Sequence, residues 1–218
     1  MLKLVIGNKN YSTWSLRPWL LLDGFAVEFE EQLVSLKAKG LTERLSEFSG
    51  SARVPVLIDN DLQIWDSLAI CEHVNQQYLQ DKAWPEKPDE RALARAIVAE
   101  MHSGFSALRS EMPMNCRASR IVSPSKACLD DIARVEQIWQ SYLQADAQGQ
   151  LRLFGQFSIA DCFYAPVVMR FKTYLPELSS KSLEYIDSIS NHPSMRKWLA
   201  AALKETEIIE EDEAGIDR

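Results

Sequence analysis

Residues 10 to 15, Asn-Tyr-Ser-Thr-Trp-Ser, place four hydroxyl side chains in six positions: Tyr11, Ser12, Thr13 and Ser15. The stretch lies between a strand-like apolar run, Leu2 to Ile6, and an apolar helical pattern, so it forms the turn that opens the first helix. So many hydroxyls at the start of an apolar helix mark the turn as a candidate reactive site.

Other chemistries lack their residues. Cys71, Cys116, Cys128 and Cys162 are scattered, with no CxxC pair, and His73, His102 and His192 are equally dispersed, so no metal site is expected. There is no GxGxxG and no phosphate-loop signature. Lys plus Arg 24 against Asp plus Glu 31 leaves a net charge of −7, which speaks against a nucleic-acid partner. No apolar run approaches the roughly 20 residues that span a bilayer, and the first residues lack a signal-peptide core, so no membrane association and a cytoplasmic location are expected.

The turn has to be positioned by elements of two different periodicities. Leu2 to Ile6 reads as a buried strand, Ser15 through Leu22 as a helix stopped by Asp23-Gly24, and Val27 and Phe29, alternating with glutamates, as a half-buried strand. Thr42 to Phe48 suggests a short helix, and 56–58, 59–61 and 62–64 a strand, turn and strand. Asp66-Ser67 supplies cap-type residues ahead of Leu68, Ile70, Cys71, Val74 and Tyr78 at helical spacing. The first 80 residues are therefore βαβαββα. Residues 81–90, DKAWPEKPDE, read as a linker, and from 91 to 218 the pattern is helical throughout. Leu93, Ile97, Met101, Phe105 and Leu108 form one face there. Ser158 to Asp161 has capping-box spacing before the near-uniformly apolar CFYAPVVM, which should be the buried centre of that half. The acidic end, EIIEEDEAGIDR, is expected to fray without a function.

This arrangement resembles the cytosolic glutathione transferases: α/β plus all-α, a thioredoxin-like N-terminal domain (1–80), a linker, and an all-helical C-terminal domain (91–218). Four motifs in order carry the resemblance, namely the turn Asn10 to Ser15, Val54-Pro55, Asp66-Ser67 and Ser158 to Asp161. NYSTWSLRPWL is similar to the serine-type bacterial enzymes close to the zeta class. No cysteine stands in the turn, which disfavours the thiol-exchange chemistry of cysteine-type classes.

The resemblance implies glutathione as co-substrate, no metal, a small electrophile as second substrate, and a homodimer built across helix three and the helix near Arg91. It makes Ser12 the group that stabilises the glutathione thiolate, with Thr13, Ser15 and Tyr11 as alternates; Ser15 is otherwise the helix N-cap, and Arg17 faces the loop or solvent. A free thiol with pKa near 8.5 is only about 3% ionised at pH 7. Lowering that pKa by about two units needs roughly 2.7 kcal/mol, within reach of one charge-assisted hydrogen bond of about 1.5–3 kcal/mol. Val54 would pair its backbone with the peptide ahead of Pro55, which the resemblance makes cis. Ser67 and free N–H groups at the helix start would receive the γ-glutamyl carboxylate, Asp66 the ammonium group, and Arg53 the glycine carboxylate. The electrophile would meet Trp14, Met101, His102 and Phe105, with Met112 and Met114 as further apolar wall, and Arg109, Arg117 and Arg170 as candidates for an anionic group. Conjugation is the leading activity; zeta-like cis–trans isomerisation and a non-catalytic regulatory role, as in stringent-starvation-type proteins, are the alternatives.

Overall fold

The computed structural model describes residues 2–37 and 39–218. Strand β1 (Leu2–Ile6) is the apolar centre of a four-stranded sheet of order β2-β1-β3-β4. It runs parallel to β2 (Phe29–Leu33), with Leu2 beside Phe29, and antiparallel to β3 (Val56–Asp59), with Leu4 opposite Leu57. β4 (Leu62–Ile64) follows antiparallel after a turn in which Asn60 takes a left-handed φ of 53°. Helix α1 (Thr13–Gly24) makes the crossover from β1 to β2, α2 (Leu41–Ser46) precedes β3, and α3 (Ser67–Tyr78) closes the unit.

The second half holds α4 (Pro88–Ser103), α5 (Ser106–Glu111), α6 (Lys126–Tyr142), α7 (Ile159–Tyr174), α8 (Ser180–Ser190) and α9 (Pro193–Ala202). Every residue of α7 except Lys172 is buried, as its uninterrupted apolar run requires. The capping box forms: Ala160 N–H donates to Ser158 Oγ and Ser158 N–H to Asp161 Oδ2. Asp161 also accepts from Leu153 N–H and Tyr185 OH, so one buried carboxylate ties three segments together. α1 packs against α3 on one side and α7 and α9 on the other, so Leu4, Leu20, Phe163 and Trp198 belong to one core that runs through both halves. Among the described residues no helix is long and apolar enough to cross a membrane.

Several expectations are corrected. α1 begins at Thr13, so Ser12 and not Ser15 holds the N-cap position, and β2 begins two residues after Val27. The segment after α3 is packed inward: Ala83 and Trp84 are buried, Asn75 Oδ1 accepts Ala83 N–H, and α4 begins at Pro88, where a missing N–H costs nothing. The face expected from Leu93 to Leu108 is broken at Gly104 and Phe105, the latter with φ 59°, into α4 and α5, and Leu93 is exposed. The second half is not wholly helical either. β5 (Arg120–Ile121) pairs with β8 (Ile216–Asp217), and β6 (Leu143–Ala145) with β7 (Leu151–Leu153); strands of two or three residues are too short to leave an alternating signature. β8 belongs to a C-terminal segment that is docked, with a 3-10 turn at Glu210–Asp212, where fraying was expected.

Candidate active site

β1 hands over to α1 through residues 7–12. At Gly7 a Cβ would lie 2.8 Å from Leu36 Cδ2, so a larger residue there would push the Leu36 side chain aside. Its N–H donates to Ser15 Oγ at 3.1 Å, and Ser12 Oγ donates to the same oxygen at 2.7 Å. Ser15 is fully buried in the first turn of α1, whereas Ser12 and Thr13 line a cavity of about 550 Å³. The Ser12 side chain makes no capping bond to the α1 backbone; its hydroxyl donates to Ser15 Oγ instead. Tyr11 is committed elsewhere: its OH donates to Glu213 Oε1 at 2.5 Å and accepts from Arg117, and burial, then Glu213, raises its pKa.

A second cavity of about 610 Å³ shares Trp14, Arg53 and Val54 with the first and continues to Pro55, Asp66, Ser67 and His102. The Val54–Pro55 peptide is cis, as is Trp65–Asp66. Asp66 is the N-cap of α3, and its Oδ1 accepts from both Leu68 and Ala69 N–H. Those two N–H groups are therefore taken, against the expectation that the helix start is free for a ligand. Ser67 Oγ is different. It is buried, has no hydrogen-bond partner among the described residues, and belongs to the cavity wall, where a ligand could supply one. His102 reaches from α4 to Asp66, Nε2 to Oδ2 2.8 Å, across the two halves.

Trp14 divides the cavities and is 36% exposed. The guanidinium groups of Arg17 and Arg109 lie 4.1 and 4.9 Å from its ring centroid, and His102 meets it edge-on. Arg17 is a correction, since it was expected to face the loop or solvent. It is 1% exposed, also sits 4.6 Å from the Phe163 ring, and its Nε and Nη1 have no hydrogen-bond partner among the described residues. Burial, with Arg109 and Arg170 adding like charge, brings its pKa down to about 9. Helical spacing could have found it: Arg17 stands three and four positions before Leu20 and Leu21, both fully buried.

Arg109 and Arg170 line the Ser12 cavity together with Met114 and Asp212. Arg117 does not; it donates to Tyr11 OH and to the carbonyls of Glu205 and Glu207. Met101, on the buried face of α4, and Phe105, at the break after it, are core residues outside either cavity, and Met112 lines a separate groove near Leu175. Burial raises the pKa of all four cysteine thiols, to about 11 for Cys128 and about 12 for Cys116, so none is a ready nucleophile.

Two family models match. Residues 11–77 fit "Glutathione S-transferase, N-terminal domain" and residues 91–201 fit "Glutathione S-transferase, C-terminal domain". The chain is 31% identical over 98 residues to a probable maleylacetoacetate isomerase of Caenorhabditis elegans, covering 45% of each chain. It is 22% identical over 146 residues to a stringent starvation protein A homolog of Pasteurella multocida, covering 67% of this chain and 64% of that one. The chain thus spans less than two thirds of the length of either curated relative. In fold it superposes on a glutathione transferase homolog from Burkholderia gl BGR1, solved with bound glutathione, with a TM-score of 0.71 over 92% of this chain and 97% of that chain at 22% identity. With both of its halves matched in order, the chain belongs to the glutathione S-transferase family.

Proposed function

We propose that the protein is a glutathione transferase that activates the thiol of glutathione through Ser12 for addition to a small electrophile. The observation that carries this is the hydroxyl pair behind the cavity. Gly7 N–H fixes Ser15 Oγ, and a hydroxyl can rotate. Ser12 Oγ, which donates to Ser15 Oγ in the free protein, would turn that proton to a sulfur anion when glutathione is bound. Thr13 is the nearest substitute. Tyr11 is a poor one, because its OH already serves Glu213.

The peptide would lie across the shared wall at Arg53 and Val54, its thiol toward Ser12 and its γ-glutamyl carboxylate toward Ser67, whose unpartnered Oγ would gain the bond it lacks. Asp66, already a cap, keeps Oδ2 and its charge for the ammonium group beside His102. Arg53 is the candidate for the glycine carboxylate. Calorimetric titration with glutathione tests the reading: binding that Ser67→Ala weakens supports it, and absence of binding refutes it.

Arg109 and Arg170 in the wall beside Ser12 favour an electrophile that carries an anionic group. That feature, with the likeness to an isomerase, favours one second reading: reversible thiol addition that isomerises a small acid. Product analysis separates the two, because isomerisation regenerates free glutathione. A purely regulatory role would leave Ser67 Oγ without a purpose. We also propose a homodimer, for which exposed Leu62 on β4, Tyr78 on α3 and Leu93 on α4 offer apolar surface. Light scattering at tens of micromolar should give twice the chain mass; a monomer there counts against it.

A further inference from the structure

The two features of the sequence that no role yet absorbs are the asparagine-rich start of the turn, Asn8 to Tyr11, and the acidic C-terminal segment. They bind each other. Glu205 takes two backbone donors at once, Lys9 N–H on Oε1 at 2.7 Å and Asn10 N–H on Oε2 at 3.0 Å. Glu207 Oε2 accepts from Asn8 Nδ2 at 2.6 Å while its other oxygen accepts from Ser35 Oγ. Glu213 Oε1 accepts from Tyr11 OH and from Asn115 Nδ2. Carboxylates on N–H donors make the stronger class of hydrogen bond.

The turn needs such support. Between the end of β1 and the start of α1, its own backbone bonds are Tyr11 N–H and Ser12 N–H to Asn8 O, at 3.2 and 2.8 Å, and Thr13 N–H to Tyr11 O, at 2.9 Å. Cys116 and Arg117 N–H also donate to Asn10 and Trp198 Nε1–H to Lys9 O, and the position of Ser12 follows that of residues 8–11. The segment is in turn held by the helical half. Arg117 donates to the carbonyls of Glu205 and Glu207, Arg120 pairs with Glu213, and β8 lies on β5. Docking is written into the sequence at Gly215: φ is +80°, and a Cβ would lie 2.4 Å from Ile121 O, so no other residue fits there undisturbed. The same segment sets Asp212 into the wall of the cavity that holds Ser12.

We propose that the C-terminal segment 205–217 is a positioning part of the active site: its glutamates clamp residues 8–11 and thereby fix where Ser12 presents its hydroxyl to the glutathione sulfur. This rests on the reading of Ser12 as the sulfur's partner. The clamping glutamates meet residues 8–11 and stand outside the walls of both cavities, so their loss should act on the chemical step more than on the affinity for glutathione.

The test compares full-length wild type with Glu205→Ala, Glu205→Gln and Gly215→Ala, and with Glu211→Gln, an exposed acid of the same segment, as control. Glutathione affinity, the pKa of the bound thiol by ultraviolet absorbance, kcat/KM at pH 7 and Tm are measured on each. Glu205→Ala and Gly215→Ala should raise the bound thiol pKa by at least half a unit and lower kcat/KM roughly tenfold, since misplacement by about 1 Å costs up to a hundredfold. The glutathione Kd should change less than twofold. Glu205→Gln, which keeps one acceptor, should fall between, and Glu211→Gln should match wild type. A fall in Tm with thiol pKa and kcat/KM unchanged would make the segment a structural strap only and overturn the proposal. If wild type itself shows no depressed thiol pKa, the reading of Ser12 fails first, and the clamp proposal falls with it; if Ser12→Ala raises the pKa and the Glu205 and Gly215 variants do not, the clamp alone fails.

Discussion

Replacing Ser67 by alanine should move apo stability and ligand affinity in opposite directions. Among the described residues Ser67 Oγ is a buried hydroxyl with no protein partner, and a hydroxyl left unsatisfied costs up to about 1–3 kcal/mol. Alanine removes the oxygen and leaves the α3 cap intact, because the capping bonds come from Asp66. The apo variant should therefore be as stable as wild type or more stable by up to about 1 kcal/mol, after allowing for the small void left behind. Bound to glutathione, the variant loses a hydrogen bond to a carboxylate, about 1.5–3 kcal/mol, so Kd should rise about 10- to 150-fold. Urea unfolding with and without glutathione reads both effects. At a fixed excess of ligand, a tenfold weaker Kd removes about 1.4 kcal/mol of ligand-induced stabilisation, and the order of the two midpoints reverses on adding glutathione. A variant that is less stable by about 1 kcal/mol or more in the apo state, with unchanged Kd, would mean that Ser67 Oγ has a protein partner and does not meet the ligand.

Ser15→Ala should cost about 1–3 kcal/mol, because it strands the buried Gly7 N–H, and the midpoint of thermal unfolding should fall by about 2–4 °C for each kcal/mol; an unchanged midpoint would mean that this N–H finds another partner. His192 caps α9 through Nδ1, and burial, with Arg152 adding like charge, lowers its pKa from 6.5 to about 4. Its unfolded form binds the proton first, so the stability it contributes is present above pH 6.5 and is lost as pH falls from 6.5 toward 4. His192→Asn, which keeps a capping acceptor, should lose stability less steeply over that window in urea titrations; an unchanged slope would count against a buried neutral histidine.

The sequence was legible where a signal is local. The strand, turn and strand of 56–64, the capping box at Ser158 and Asp161, and Val54-Pro55 each depend on neighbours a few residues away, and each stands where its pattern puts it. The start of α1 was harder, because Ser12 and Ser15 are both good cap residues and only tertiary packing, through Gly7, draws Ser15 inside. Arg17 was misplaced by its charge: hydrophobic spacing put it on the core face, and stacking on Trp14 and Phe163 makes that burial tolerable. Met101 and Phe105 share an apolar spacing that runs on across Gly104, where the chain bends. Least legible of all was the acidic segment. Its partners are backbone N–H groups some 195 positions earlier, and a donor common to every residue leaves no mark in a sequence.

If Ser12 holds the glutathione sulfur as an anion, the pKa of the bound thiol reports it. Ultraviolet absorbance of the thiolate, followed against pH in wild type, should place it about two units below the free value near 8.5, a rise of about 25-fold in ionised fraction at pH 7. Ser12→Ala should raise it by about one to two units, the worth of one charge-assisted hydrogen bond, while Kd for glutathione changes little. A thiol pKa unmoved by Ser12→Ala but raised by Tyr11→Phe would contradict the account and move the chemistry to the tyrosine.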